Sequence, residues 1–415
     1  MNNQFLKNLS YLTLIQISNA FIPLLIIPYI SRIIGVENFS SLEFTRIYCY
    51  YFTIFINYGF DLTITRYISI NRENRFKVNR MVNQTIYAKV FLFLISTIFF
   101  LASLEFYEAL ESVKLLLILT FLINVGYLFY PIWFFQGVEK MAKISIINFI
   151  SKCLIALLTI LLITSKEDYW LYNFFQSLGM IGIAIYSLYI LKIKFSCYWE
   201  KPQLVVIKKI LVEGFPIFFG TILVTVITSL YFIFFKSYSN TEELAKFSTS
   251  NKLIATLQLL ILLPFSQAFF PLINKKLNEG RSIFKKYIKI ASLGIILVAG
   301  AQGMVVYLFP ELIIKIVFGK DFLIATESVK ILAFLPLFAC LTNVYGYQGL
   351  LSLKKDKLFL YIHILFAVVC VVSNFIFINN YDTSTASYIR IGMEIAMALT
   401  CFLLYLYFVK DGKSN

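Results

Sequence analysis

What most limits the folds open to this chain is a succession of roughly twelve runs of about 20 mostly apolar residues, each parted from the next by a short charged or polar stretch. They fall near 9–30, 40–60, 82–103, 113–134, 144–164, 169–191, 214–235, 248–272, 288–309, 329–350, 358–378 and 385–409. A helix of that length crosses the hydrocarbon of a bilayer, and backbone in lipid must satisfy its own hydrogen bonds, so each run predicts a membrane-spanning helix. The expected class is an all-α polytopic membrane protein. The hydrophobic share of 60% exceeds the ~45–50% of soluble domains. Little chain is left for a soluble catalytic domain. The first run lacks a small-residue cleavage site and reads as an uncleaved span.

Basic residues mark alternate connections. One side collects Arg66, Arg72, Arg75, Lys77 and Arg80, then Lys140 and Lys143, then Lys192, Lys194 and Lys201, then Lys285, Lys286 and Lys289. The other side carries Glu105, Glu108, Glu111, Glu167, Asp168, Glu242, Glu311 and Asp382. The bias predicts that both termini are cytoplasmic. The net charge of +15 is then mostly a topology signal, and no soluble basic face remains for nucleic acid. The six cysteines have no neighbour at metal-ligand spacing, so they read as packing residues, with no metal or cofactor expected. His363 reads as a hydrogen-bonded core group ahead of a proton relay.

Pro23 to Gly35, P-L-L-I-I-P-Y-I-S-R-I-I-G, places two prolines in the first run, which predicts a bent span beside a cavity. Arg32 would lie at its membrane edge, either as an interfacial arginine or meeting an anion. In the second run Glu43, Arg46, Tyr50, Thr53 and Asn57 recur at three- and four-residue intervals, on one helix face. A charge at the bilayer centre costs at least ~3 kcal/mol, so this face should look inward. Gln16, Asn19 and Pro23 share similar spacing and would extend the wall of a polar cleft. Glu43 and Arg46 are either a structural pair or part of a ligand site.

Further candidates are Lys89, close enough to a span end to snorkel, Lys152 on a face with Ser145, Asn148 and Thr159, and Lys252 with Ser248 and Thr256. Arg390 and Glu394 read most simply as an ion pair. Within the spans these cations face only Glu43 and Glu394, an excess that points to an anionic cargo.

The fourth run ends W-F-F-Q-G (Trp133–Gly137) before Lys140, and the tenth ends Y-G-Y-Q-G (Tyr345–Gly349) before Lys355. A second echo links 35–44 with 240–249. At an offset of roughly two hundred residues, they indicate a six-plus-six parallel repeat. The expected organisation is a six-helix bundle over 1–191, a basic amphipathic linker over 192–213, able to meet anionic headgroups, and a second bundle over 214–415.

P-Y-I-S-R-I-I-G (Pro28–Gly35), W-F-F-Q-G-V-E-K-M (Trp133–Met141) and E-G-F-P (Glu213–Pro216) resemble the O-antigen and capsule repeat-unit flippases of the Wzx type, within the multidrug, oligosaccharidyl-lipid and polysaccharide exporter superfamily. The resemblance covers essentially the whole chain. It implies a V-shaped pair of six-helix bundles around a cationic cavity, moving undecaprenyl-diphosphate-linked oligosaccharide to the periplasmic leaflet by alternating access. Implied partners are that substrate, membrane lipids, and a polysaccharide polymerase with its chain-length regulator. The motifs read as structural marks, so the candidate site rests on spacing: Arg46 with Arg32, Lys89, Lys152, Lys252 and Arg390 toward the diphosphate, and Tyr50, Asn57, Gln16 and Asn19 toward sugar hydroxyls. Glu43 is the candidate for coupling to a proton or sodium ion, although a carboxylate beside Arg46 should hold its charge.

The alternative is a cation-coupled drug or metabolite antiporter of the same superfamily, which should carry a coupling carboxylate in the first bundle. The first run has none. A membrane glycosyltransferase or polymerase would need acids on a large periplasmic loop, and no connection is long enough. The expected protein is not an enzyme.

Overall fold

The computed structural model describes residues 3–238, 241–353 and 355–410, apart from some side chains within those helices, among them every one before residue 22. Among the described residues the secondary structure is helical throughout. In order these are α1 (Asn3–Asn57), α2 (Phe60–Asn71), α3 (Arg75–Phe106), α4 (Lys114–Phe121), α5 (Ile123–Phe129), α6 (Ile132–Gly137), α7 (Ala142–Leu162), α8 (Trp170–Phe195) and α9 (Leu204–Tyr238). The remainder comprises α10 (Thr241–Glu279), α11 (Arg281–Leu308), α12 (Pro310–Val317), α13 (Thr326–Leu332), α14 (Leu335–Thr342), a π-helix (Asn343–Leu350), α15 (Asp356–Ile376) and α16 (Thr383–Lys410). The chain forms two compact units, Met1–Ile222 and Leu223–Asn415.

Among the described residues eight helical segments are long and apolar enough to cross a membrane, or nine if the pair Lys320–Leu332 and Leu335–Leu350, bent by 44°, counts as one. They take in nine of the predicted runs. The other three lie in α1 and α10.

Helix α1 carries both of the first two runs. The backbone stays helical through Pro23 and Pro28 and departs from helix at Gly35, with φ 75° and ψ 178°. The break therefore comes after the prolines, not at them. Proline keeps a helical φ and forfeits one hydrogen bond, whereas the conformation at Gly35 is open essentially to glycine alone. Two contacts pin this corner: the Tyr29 hydroxyl donates to the carbonyls of Ile160 (2.8 Å) and Ile163 (3.1 Å), and Asn38 donates to that of Lys166 (3.0 Å).

The recurring motifs are sites of close packing. Trp133, Phe134 and Phe135 are each 1% exposed, and Thr65 of α2 donates to the Trp133 carbonyl at 3.1 Å. At Gly137 an added Cβ would lie 2.7 Å from Ile68, so glycine is what lets α6 approach α2. Gly214 is pressed against the turn between α1 and α2: its Cβ would come 2.6 Å from the Tyr58 carbonyl oxygen. One turn later Phe218 stacks on Tyr58 with ring centroids 4.7 Å apart. In the second unit the Y-G-Y-Q-G echo is the π-helix, where Gly349 packs on Tyr405 of α16 and Gln348 donates to Asn343 at 3.0 Å.

Residues 196–203, between α8 and α9, form an irregular strap held by amide side chains from α3. Asn79 accepts from the Tyr198 N–H (2.9 Å), Asn83 donates to the Tyr198 carbonyl (2.8 Å), and Gln84 donates to Lys201 (3.0 Å) and accepts from Gln203 (2.7 Å). These bonds replace the helix ladder that the strap lacks.

Substituting Gly214 by Val should force α9 off the turn at Tyr58 and cost about 1–3 kcal/mol, as overpacking does. A lowered thermal midpoint of the purified protein checks this, with Gly182→Ala, where nothing lies within 4 Å of the added Cβ, expected to be neutral.

Candidate functional site

The polar face predicted on the second run divides into two roles. Thr53 donates to Asn124 at 2.7 Å, so part of the face ties α1 to α5, and beside it Thr45, which is not on that face, accepts from Asn173 of α8 at 3.0 Å. Arg46 and Glu43 meet at 2.6 Å. Glu43 is buried, its side chain 5% exposed, while the Arg46 side chain is 47% exposed. Glu43 thus holds Arg46 by one edge, and the guanidinium has five donors to share. Tyr50, one turn on, is also open at 47%.

Asn57 ends α1, and Tyr58 and Gly59, both with positive φ, interrupt the helix before α2 begins at Phe60. Asp61 then falls in the first turn of α2, where a carboxylate suits the helix N-terminus. Asn57, Asp61, Tyr127, Tyr130, Asn148 and Lys152 converge on a cavity of about 150 Å³ inside the first unit. Asn148 and Lys152 are one turn apart on α7. Tyr130 stands at the break between α5 and α6.

Two lysines belong to this region. Lys152 Nζ donates to Gln176 Oε1 of α8 at 2.9 Å. Lys89 is 1% exposed and donates to the Tyr127 carbonyl at 2.6 Å. Lys89 therefore does not snorkel; a carbonyl near the break of the fourth span reaches it first. Tyr130 OH and Asn148 Oδ1 are buried with no hydrogen-bond partner among the described residues, and both residues line the cavity, so they offer hydrogen bonds to its contents. The chamber combines one carboxylate, one ammonium group, amides and phenols, a set of groups able to recognise a hydroxylated or anionic solute.

The structure brings Asn57 and Lys152 together at the cavity, with Lys89 behind Tyr127. Arg32 is exposed and precedes Gly35, and it is not among the residues lining the cavity. The side chains of Gln16 and Asn19 lie outside the described residues. Lys252 belongs to the second unit and is half-buried. Arg390 is 7% exposed, donates to Asn251 and lies 6.0 Å from the Phe247 ring centre. No ion pair joins it to Glu394 among the described residues, because Asn251 takes the guanidinium instead. The Nδ1 of His363 lies 2.9 Å from the Phe359 carbonyl, a core arrangement. Cys153 is exposed, so it does not pack the core, and Cys197 lines a cavity.

Asp61 escaped the sequence reading and changes its charge balance. Its signal was spacing: it lies four residues beyond Asn57, across the break between α1 and α2. Tyr127, Tyr130 and Gln176 carried no comparable signal, since aromatic residues and a lone glutamine are common in spans.

Comparison with known proteins places this geometry. The polysaccharide biosynthesis protein family model matches residues 5–277. A protein of Escherichia coli (strain K12) named "Putative O-antigen transporter" is 29% identical over 98% of this chain and 97% of its own. A Shigella dysenteriae protein of the same name is 28% identical over 98% and 100%. Among solved structures, an inward-facing multidrug resistance MATE family transporter of the MOP superfamily superposes with a TM-score of 0.78 at 14% identity, covering 98% of this chain and 100% of that one. The lipid II flippase MurJ in an inward closed conformation gives 0.66 at 14% identity, covering 99% and 94%. Those two likenesses establish the fold. The family match reaches over half the chain and includes every residue lining the cavity: this is a membrane transporter of the polysaccharide biosynthesis protein family.

Proposed function

We propose that the chain is a flippase that turns undecaprenyl-diphosphate-linked oligosaccharide repeat units from the cytoplasmic to the periplasmic leaflet of the inner membrane, for O-antigen or capsule synthesis. The observation that carries this reading is the half-exposed Arg46 guanidinium, seated by a buried carboxylate on the helix that leads into a cavity lined by Lys152, Asn57 and tyrosines. A diphosphate leaving water needs fixed positive charge, and arginine supplies it through paired donors. Arg46, with Arg32 and Lys152 or Lys252, takes the diphosphate. Tyr50, Asn57, Gln16 and Asn19 bind sugar hydroxyls. The isoprenoid tail stays in lipid while the head crosses. Both termini are cytoplasmic, the bundles over 1–191 and 214–415 alternate in access, and a polymerase with its chain-length regulator receives the product.

Glu43 supplies a route to coupling. Cargo phosphate that draws Arg46 away removes the compensation the pair provides, and a proton or sodium ion taken up at Glu43 restores it. A cation-coupled drug or metabolite antiporter is the second reading, and one observation favours it: Asp61 places in the first unit the acid that the first run lacks.

Deleting the protein should make lipid-linked repeat units accumulate on the inner leaflet; unchanged glycan with altered drug tolerance would instead support the antiporter. Arg46→Ala should abolish glycan export while membrane insertion is retained, and Arg46→Lys should keep the charge but lose the paired donors, lowering export about tenfold. Asp61→Asn and Lys152→Gln separate the two readings. A flippase should lose about tenfold of its export with Lys152→Gln and little with Asp61→Asn, since only the first removes an attraction for the diphosphate. An antiporter should show the reverse order in its resistance phenotype.

A further inference from the structure

At the basic end of the first unit, α3, α8 and the strap 196–203 enclose a cavity of about 430 Å³, within the range of small-molecule sites. Val82, Ile86, Leu188, Leu191 and Trp199 form most of its wall, and Lys192 is the one cation that lines it. Asn83 also faces it, yet that amide is already engaged: it donates to the carbonyls of Tyr198 (2.8 Å) and Asn79 (2.9 Å) and accepts from the Glu200 N–H (3.3 Å). A hydrophilic solute would find little to bond with. Among the described residues no acid pairs with Lys192.

The chamber lies about two turns inside the start of α3 and one inside the end of α8. Tyr189, Tyr198 and Trp199 are exposed there at 60%, 53% and 67%, as aromatic residues are at the headgroup level of a bilayer. Lys194 and Lys143 face one another nearby and add to the positive field. An apolar chamber with one ammonium group at its rim, at that depth, complements an amphiphile with a hydrocarbon body and an anionic head.

We propose that this cavity binds one anionic phospholipid from the leaflet on the basic side, with an acyl chain against Val82, Ile86 and Leu188 and its phosphate at Lys192. The strap that closes the chamber is held by the α3 amides, so the bound lipid and the amides together fix the path of the chain into α9.

Native mass spectrometry of the full chain in detergent, with dioleoyl phosphatidylglycerol or dioleoyl phosphatidylethanolamine added at equal concentration, tests this. The wild type should retain one phosphatidylglycerol with a preference of about fivefold, the factor expected from one lysine near a membrane surface. Lys192→Gln should bring the two lipids to parity, while Lys208→Gln, an exposed lysine on α9 that does not line the cavity, should leave the preference intact. Ile86→Trp should fill the chamber and remove the retained lipid whatever its head. A preference that survives Lys192→Gln, falls equally with Lys208→Gln, or is matched by glycerol phosphate without acyl chains would overturn the proposal, as would lipid retained by Ile86→Trp.

Discussion

Every polar group inside the spans must find its partner within the protein, because lipid offers none, and that constraint organises the first unit. Asn173 of α8 shows it in full. Its amide nitrogen reaches the Leu42 carbonyl and the hydroxyls of Thr45 and Thr120, joining α1, α4 and α8 through one side chain that is 3% exposed. Lys89 is settled on a carbonyl and Lys152 on an amide oxygen. Tyr130 and Asn148 differ: each keeps an atom without a partner among the described residues, and each lines the chamber that holds Asp61 and Lys152. Bonded polar groups serve as glue between helices, and the unspent ones at the chamber are what a cargo can use.

Backbone geometry places those groups. The fourth span is broken at Tyr130 and Pro131, so α5 ends with its tyrosines beside α7 while α6 restarts and buries Trp133, Phe134 and Phe135. The turn at Tyr58 and Gly59 sets Asp61 beneath Asn57, and the close approach of Gly214 and Phe218 braces that turn from α9. The motifs that carry the sequence resemblance thus act one step away from the chamber. They shape the corners that hold its walls, which is why glycine and aromatic residues fill them.

Much of this was legible in the chain because lipid imposes a strong code. Runs of apolar residues yielded the helices, and the three- and four-residue intervals from Glu43 through Arg46, Tyr50 and Thr53 to Asn57 marked a face that is partly open and partly glue. Other features depend on distance between segments, which periodicity does not encode. Asn251 captured Arg390 from a helix about 140 residues earlier in sequence and left Glu394 without the pairing that their four-residue spacing suggested. The helix break fell at Gly35, although the two prolines were the louder signal, because a left-handed φ at glycine reorients a chain more than one lost hydrogen bond does. Asp61 lies one position beyond the apolar run 40–60, across the Tyr58–Gly59 break, where helical periodicity no longer ties it to that face.

In the function proposed above, positive side chains in the first unit shelter a phosphorylated headgroup on its way across the bilayer. Transfer in proteoliposomes measures this most directly, by following the leaflet position of a polyprenyl-diphosphate-linked oligosaccharide and of the same oligosaccharide on an uncharged polyprenyl linkage. Rapid movement of the diphosphate form with the neutral form left in place is the predicted result. Equal movement of both would contradict it, for the cations would then have no part in choosing the cargo.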